Sequence, residues 1–329
     1  MSDQKKTKIE LVIGLIIVVT FLVLGLFLNK SRSMLVTAIA INIVFGMSFS
    51  LLFAYTGMTS MGHAVYYGLG SYFMMIFILK AGISWPIAAL LSVVCTTLIS
   101  VFLGSVCLRN GMASFAFLSM GIANTMIAVF NKWAWVGSDL GLQVSFLPPT
   151  LQNYRVMYYL IIGVSIITVV VFYFLTKSPF VKTAKGIREN EERLKFLGLD
   201  THKQRLFIFV VSAFFASISG VLYTLRCCGA YAAQLTNEMS IQSIMMCMVG
   251  GTETFFGPIL GSVLVTLFVN YVSGWTIYFQ GFLGTFVLVT VFCIRDGLIS
   301  KKVANFFLRL LGRPQIGVKK DNAGERGTT

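Results

Sequence analysis

An all-α, polytopic membrane helical bundle of about ten transmembrane segments, some of them short or discontinuous, is the fold class this sequence predicts. Three observations predict it. Hydrophobic residues make up 57% of the 329 residues and charged residues only 12%, with a positive mean hydropathy, far from the balance of a water-soluble domain. Apolar runs recur at the length of roughly 20 residues that a helix needs to cross a bilayer. Glycine-rich stretches interrupt those runs at two corresponding places in the two halves of the chain.

In order, the spans fall at 9–28, 34–54, 63–79, 86–108, 112–130, 156–175, 206–225, 239–250, 257–274 and 277–294. The first lacks a small-residue cleavage site and is followed at once by further spans, so it is read as a retained helix. With the N-terminus in the cytoplasm, ten alternating crossings place 20 of the 26 Lys and Arg inside. Only Lys30, Arg32, Lys80, Lys132, Arg155 and Arg226 fall outside, as the positive-inside rule requires. Both termini are then cytoplasmic. The chain divides into a tail at 1–8, a transmembrane domain at 9–298 and a cytoplasmic tail at 299–329, whose polar last part is expected to be disordered. The longest inside loop covers 176–205 and the longest outside loop 131–155; loops of this length are where partners dock.

The formal charge of +14 does not indicate nucleic acid, because the basic residues sit in gaps between apolar runs rather than on one accessible face. Six cysteines lie in or beside apolar runs without metal-ligand spacing and read as small buried hydrophobes. No metal or catalytic constellation is expected.

The inside loop carries the main charged segment, KTAKGIRENEERLKFLGLD, at 182–200. Ser178-Pro179 reads as an N-cap followed by proline at the first helical position, and Gly198 stands where a left-handed C-terminal cap belongs. Val181, Ala184, Ile187, Leu194 and Leu197 recur on one face, so one amphipathic helix or two short ones are expected. Two readings of it stay open. It can rest its basic residues on anionic lipid, or present an apolar ridge to another protein's groove. Glu189, Glu191, Glu192 and Asp200 weigh against a pure lipid patch, which would repel them.

GIRENEERLKFLGLD resembles the cytoplasmic loop of the permease subunits of branched-chain amino acid ABC importers, the LivM-like branch, at Ile187, Arg188, Glu189, Asn190, Glu191, Leu197 and Gly198. Gly186 stands where alanine is usual, and since glycine costs a helix about 1 kcal/mol relative to alanine, a bend is expected there. AYTGMTSMGHAVYYGLGSY at 54–72 resembles a second run of that family, and MVGGTETFFGPILGSVL at 248–264 a third, with Glu253 in place of a glycine. SDLGL at 138–142 is similar to a fourth. The resemblance covers roughly 34–298 in the right order.

The resemblance implies that Ile187, Arg188, Glu189, Asn190, Glu191, Leu194, Leu197 and Gly198 form a coupling helix for a cytoplasmic ATPase. It implies a second, homologous permease subunit, two ABC ATPases and an extracytoplasmic solute-binding protein seated near Ser138, Asp139 and Gly141. The location it implies is a bacterial or archaeal inner membrane, with lipid as the remaining partner and no nucleic acid.

Glycine and proline let a membrane helix stop halfway, and paired interruptions are the sign of discontinuous helices along a translocation path. Gly57, Ser60, Gly62, His63, Gly250, Gly251, Gly257 and Pro258 are the candidate path residues. Close helix packing is the alternative, and it is preferred for Gly68, Gly70 and Gly261. For His63, which has no nearby carboxylate, a hydrogen-bonded capping role is preferred over metal binding or proton relay.

The spans carry no charge constellation of the kind ion-coupled transporters use, Asn42, Asn124 and Asn270 being their main strongly polar residues. Nor is there a Walker-type loop. An imported solute must then be driven by another subunit, so the chain binds no cofactor and ATP and magnesium belong to the partner ATPases. The expected function is the permease subunit of an ATP-driven importer for branched-chain amino acids or a related small amide or amino acid, and not an enzyme. An ATP-independent channel or facilitator is the alternative.

Overall fold

The computed structural model of the chain describes residue 25 and residues 29–109, 111–144, 153–252, 254–276 and 278–293. The predicted span at 9–28, Glu253 and the tail beyond 293 lie outside the described residues, apart from residue 25.

Among the described residues the long helices are α1 (Lys30–Thr56), α3 (Trp85–Cys107), α4 (Met112–Lys132), α5 (Tyr154–Lys177) and α8 (Thr201–Cys227), each long and apolar enough to cross a membrane. Shorter helices are α2 (Ala64–Leu79), α6 (Pro179–Glu189), α7 (Glu191–Phe196), α9 (Asn237–Gly250), α10 (Gly257–Val272) and α11 (Phe279–Cys293). Each predicted span from 34 onward has its helix, displaced at the ends by a few residues.

The centre is built on α1 and α8. After a mostly exposed first turn at 30–34, helix α1 is apolar around its circumference and from Ile39 onward is buried on nearly all sides, the behaviour expected of a helix without a polar face. Helices α2 and α3 pack on one flank of this pair, α9 and α10 on the other, and α5 against α1. The α2 to α8 contact needs glycine on both sides. A Cβ at Gly220 would overlap the Tyr67 carbonyl oxygen, and one at Gly70 would stand 2.9 Å from the Ser217 Cα. Small residues thus let two backbones meet, as in other membrane bundles.

Helix α3 turns its small and polar residues inward. Ala88, Ser92, Thr96, Ser100, Gly104 and Cys107 are buried, while Leu90, Leu98 and Phe102 point outward. Lipid tails are as apolar as leucine, so nothing drives the large side chains into the bundle, and close approach favours the small ones.

The two ends of the bundle are consistent with the predicted alternation. The short strands β1 (Leu142–Gln143) and β2 (Gly229–Ala230) pair antiparallel, with Leu142 opposite Ala230, joining the loop after α4 to the end of α8. Arg226 donates to the Met34 carbonyl at that same end. At the opposite end α6 packs on α1, and α7 and the start of α8 lie beside it.

Candidate functional site

The segment at 176–205 folds as two helices with a corner. Ser178 caps α6, its hydroxyl accepting from the Val181 N–H, and Pro179 opens the helix. At Asn190 the backbone is extended, and its side chain accepts from the Arg193 N–H to start α7. The chain then closes with the Gly198 N–H donating to the Lys195 carbonyl and the Leu199 N–H to the Leu194 carbonyl, with Gly198 at φ 77°. That pair of bonds is a Schellman cap, which a left-handed glycine permits. The expected bend at Gly186 is not there: Gly186 lies inside α6, and the corner is four residues on. What the missing side chain supplies is room, since a Cβ would stand 3.2 Å from the Leu194 Cδ1 folded back over it.

The expected apolar ridge also faces differently. Val181, Ala184 and Ile187 are buried in the chain's own core, Ile187 at 1% exposure, so that part of the ridge fastens α6 to the bundle instead of standing free for a partner. Leu194 is half-buried. The apolar surface left open is the tip of α7, where Phe196 is 90% and Leu197 70% exposed. Phe196 escaped the sequence reading because it lies off the ridge's spacing.

Glu191 anchors the corner to α8. It accepts from the Thr201 hydroxyl (3.1 Å), pairs with Lys195 (3.0 Å) and forms an ion pair with the largely buried Arg205. Burial pushes the Glu191 carboxyl up, but the Lys195 hydrogen bond, the Arg205 guanidinium and the Thr201 hydroxyl outweigh it and hold its pKa below the ordinary value. Arg205 and Thr201 were not singled out from sequence, where nothing marks a partner ten or more residues away. Arg188 donates from Nη1 to the Ala54 carbonyl oxygen at 2.9 Å. Arg188, Glu189 and Asn190 are exposed, Arg188 keeping its guanidinium hydrogen on the Ala54 carbonyl.

Arg188 brings this segment to the first glycine stretch. Helix α1 ends at Gly57, whose φ of 73° makes the left-handed cap, and α2 does not begin until Ala64. The intervening backbone is closed by hydroxyls. The Met61 N–H donates to Ser119 Oγ on α4 (3.1 Å) and the Ala64 N–H to Ser240 Oγ on α9 (3.0 Å). A Cβ at Gly62 would overlap the Ser119 carbonyl oxygen.

Ser60 and His63 are fully buried. The Ser48 hydroxyl lies 2.6 Å from the Phe45 carbonyl and shares a buried hydrogen bond of 2.8 Å with His63 Nε2. His63 therefore bonds a hydroxyl across helices and makes no side-chain cap bond to α2. The Ser60 hydroxyl and His63 Nδ1 are left without partners, with Phe45, Phe49 and Tyr66 around the imidazole.

The second stretch is tighter. A Cβ at Gly250 would overlap the Gly257 carbonyl oxygen, one at Gly257 that of Gly251, and one at Gly261 that of Met246. Gly251 has φ 95°, and Pro258 sits in the first turn of α10. Gly62, Gly250 and Gly257 thus share the packing role expected of Gly261. Of the polar residues noted in the spans, Asn42 bonds the Thr266 hydroxyl (2.9 Å) and Asn124 accepts from Asn237 (2.7 Å), both between helices, while Asn270 is exposed.

At the other end, Ser138 and Gly141 lie in a tight turn. Gly137, Ser138 and Gly141 all have positive φ, and the Ser138 hydroxyl donates to the Asn131 carbonyl. A Cβ at Gly141 would overlap the Ala230 carbonyl oxygen, so glycine is needed for the turn to lie on β2. The turn presents Leu140, 82% exposed, beside the half-exposed Trp133 and Trp135. Asp139 belongs to the same turn.

Residues 31–292 match the family described as branched-chain amino acid transport system / permease component. The high-affinity branched-chain amino acid transport system permease proteins LivM of Salmonella typhimurium and Escherichia coli are each 22% identical, over 87% of this chain and 72% of theirs. The ribose import permease protein RbsC of Haemophilus influenzae is 26% identical over 33% of this chain, and that match spans about a third of its length, 34%. No solved structure matches. With a family match running from the start of α1 almost to the end of α11, this multi-pass membrane chain belongs to the branched-chain amino acid transport system permease components.

Proposed function

We propose that this permease subunit lines the translocation path of an ATP-driven importer for branched-chain amino acids or a related small amide or amino acid, and takes its work from two separate ABC ATPases. The observation that carries this reading is the form of the α6 to α7 segment. It is fastened to the bundle by a buried ridge and an ion-pair network, it exposes an apolar tip, and it touches the end of α1 where the first helix break begins. A lipid strut would have no use for a rigid apolar tip flanked by Glu189 and Glu192.

In this proposal Glu189, Asn190, Leu197, Gly198 and the newly found Phe196 meet the ATPase. Ile187, Arg188, Glu191 and Leu194 hold the segment's shape. Gly57, Ser60, Gly62, His63, Gly250, Gly251, Gly257 and Pro258 form the two breaks whose repacking opens the path. The turn at Ser138, Asp139 and Gly141 seats an extracytoplasmic binding protein, and a second homologous permease completes the membrane part. ATP and magnesium are used by the ATPases and not by this chain. The setting is the inner membrane of a bacterium or archaeon, with both termini cytoplasmic.

The test is uptake of radiolabelled leucine by proteoliposomes containing the two permeases, the ATPases and the binding protein. Uptake should require enclosed ATP. Flux that persists without ATPases or ATP would overturn the proposal in favour of a channel. Calorimetry of the binding protein against leucine, isoleucine, valine, urea and short amides fixes the cargo.

A further inference from the structure

We propose that Arg188 is a clamp, a positioning residue that carries motion of the α6 to α7 segment into the first helix break, and not a residue that contacts the ATPase. The inference rests on the importer reading above and names the route through which that reading would work.

Helix α1 stops at Gly57, which leaves its last carbonyls without helical partners. The Gly57 N–H closes on the Phe53 carbonyl (3.1 Å). The next carbonyl, Ala54, takes its hydrogen bond from Arg188 Nη1, 134 residues away in the chain. A guanidinium at a helix C-terminus also meets the negative end of the helix dipole, so the bond is charge-assisted in two ways. The alkyl part of the same side chain lies against Gly57, where a Cβ would stand 3.3 Å from Arg188 Cγ. Glycine at this position therefore serves the left-handed cap and the passage of Arg188 together.

Val181, Ala184 and Ile187, buried on the inner face of α6, make the base of the Arg188 side chain rigid. A displacement of α6 cannot leave Ala54 in place without breaking the Arg188 bond.

The experiment is hydrogen–deuterium exchange on the complete complex, comparing the nucleotide-free state with ATPases arrested by vanadate. In the wild type, exchange should change both in 178–200 and in 53–63. In Arg188→Ala the ATPases should still copurify and 178–200 should still respond, while the response at 53–63 falls by between about twofold and thirtyfold, the span over which coupling residues alter a coupling. Arg188→Lys, which keeps the charge but not the fork, should recover part of it; this variant also serves if Arg188→Ala does not assemble.

An undiminished response at 53–63 in Arg188→Ala would overturn the clamp, as would a diminished response in both segments, or loss of ATPase copurification by both Arg188→Ala and Arg188→Lys chains that still insert and fold. A wild-type complex in which 178–200 responds and 53–63 does not would overturn it too. A wild-type chain that retains no ATPase sinks the importer reading itself, a result visible before any variant is made.

Discussion

Ser240 and Glu191 show how single polar side chains set the stability of a chain with so few of them. The Ser240 hydroxyl is the acceptor for the Ala64 N–H at the buried start of α2. Ser240→Ala leaves that donor unpaired away from water, and the expected cost is about 1–3 kcal/mol, read as a lower unfolding temperature in detergent. Ser240→Thr keeps the acceptor and should lose less. Glu191 is more exposed and its worth depends on pH. Its pKa is lower in the folded chain than in the unfolded one, so the stability it adds is fully present above the ordinary glutamate range and disappears as pH falls through the folded value. Glu191→Gln should therefore be less stable than the parent at neutral pH, by about 1 kcal/mol for a partly screened pair, with the two curves converging on acidification below the ordinary glutamate value. Melting curves across pH measure this directly; a difference that grows on acidification contradicts the assignment.

At the scale of elements, the glycine pairs govern how closely helices cross. Gly220→Ala pushes a methyl into the Tyr67 carbonyl oxygen, where backbone cannot give way cheaply, and should cost about 1–3 kcal/mol of overpacking. Gly163→Ala on α5 has open space around its Cβ and should be neutral or slightly stabilising in the same melting assay. Helix existence and limits were legible in the sequence from α1 to α11 because run length and bilayer thickness leave little choice, and the caps at Ser178 and Gly198 were legible because their chemistry is local. The direction of the α6 ridge was not. Val181, Ala184 and Ile187 have the same spacing whether they meet a partner or their own bundle, and only the placement of α1 decides. The partners of Arg188, Glu191 and His63 were hidden for the same reason, since Ala54, Arg205 and Ser48 are set beside them by packing and not by sequence distance. Gly186 was misread as a bend because helix propensity describes an isolated helix, whereas here the absent side chain makes room for Leu194.

For the molecule as a whole, the inward and outward parts of the α6 to α7 segment should separate in one experiment. Ile187→Ala removes buried packing, and as a large-to-small core change it should lower stability by about 2–5 kcal/mol. The loss would appear in the melting temperature of the permease alone. Phe196→Ala and Leu197→Ala remove side chains that touch little of the chain itself, so permease stability should hold within about 0.5 kcal/mol. What they should lose is the ATPase: an apolar anchor filling a partner's pocket is worth about 2 kcal/mol or more, so the double variant should weaken ATPase retention by about thirtyfold or more. Titrating detergent-solubilised permease with ATPase measures both sides of this split. Equal retention by the parent and the double variant would remove the tip from the interface. A double variant that also melts early would mean that Phe196 and Leu197 are packed in solution and that the open apolar surface lies elsewhere on the segment.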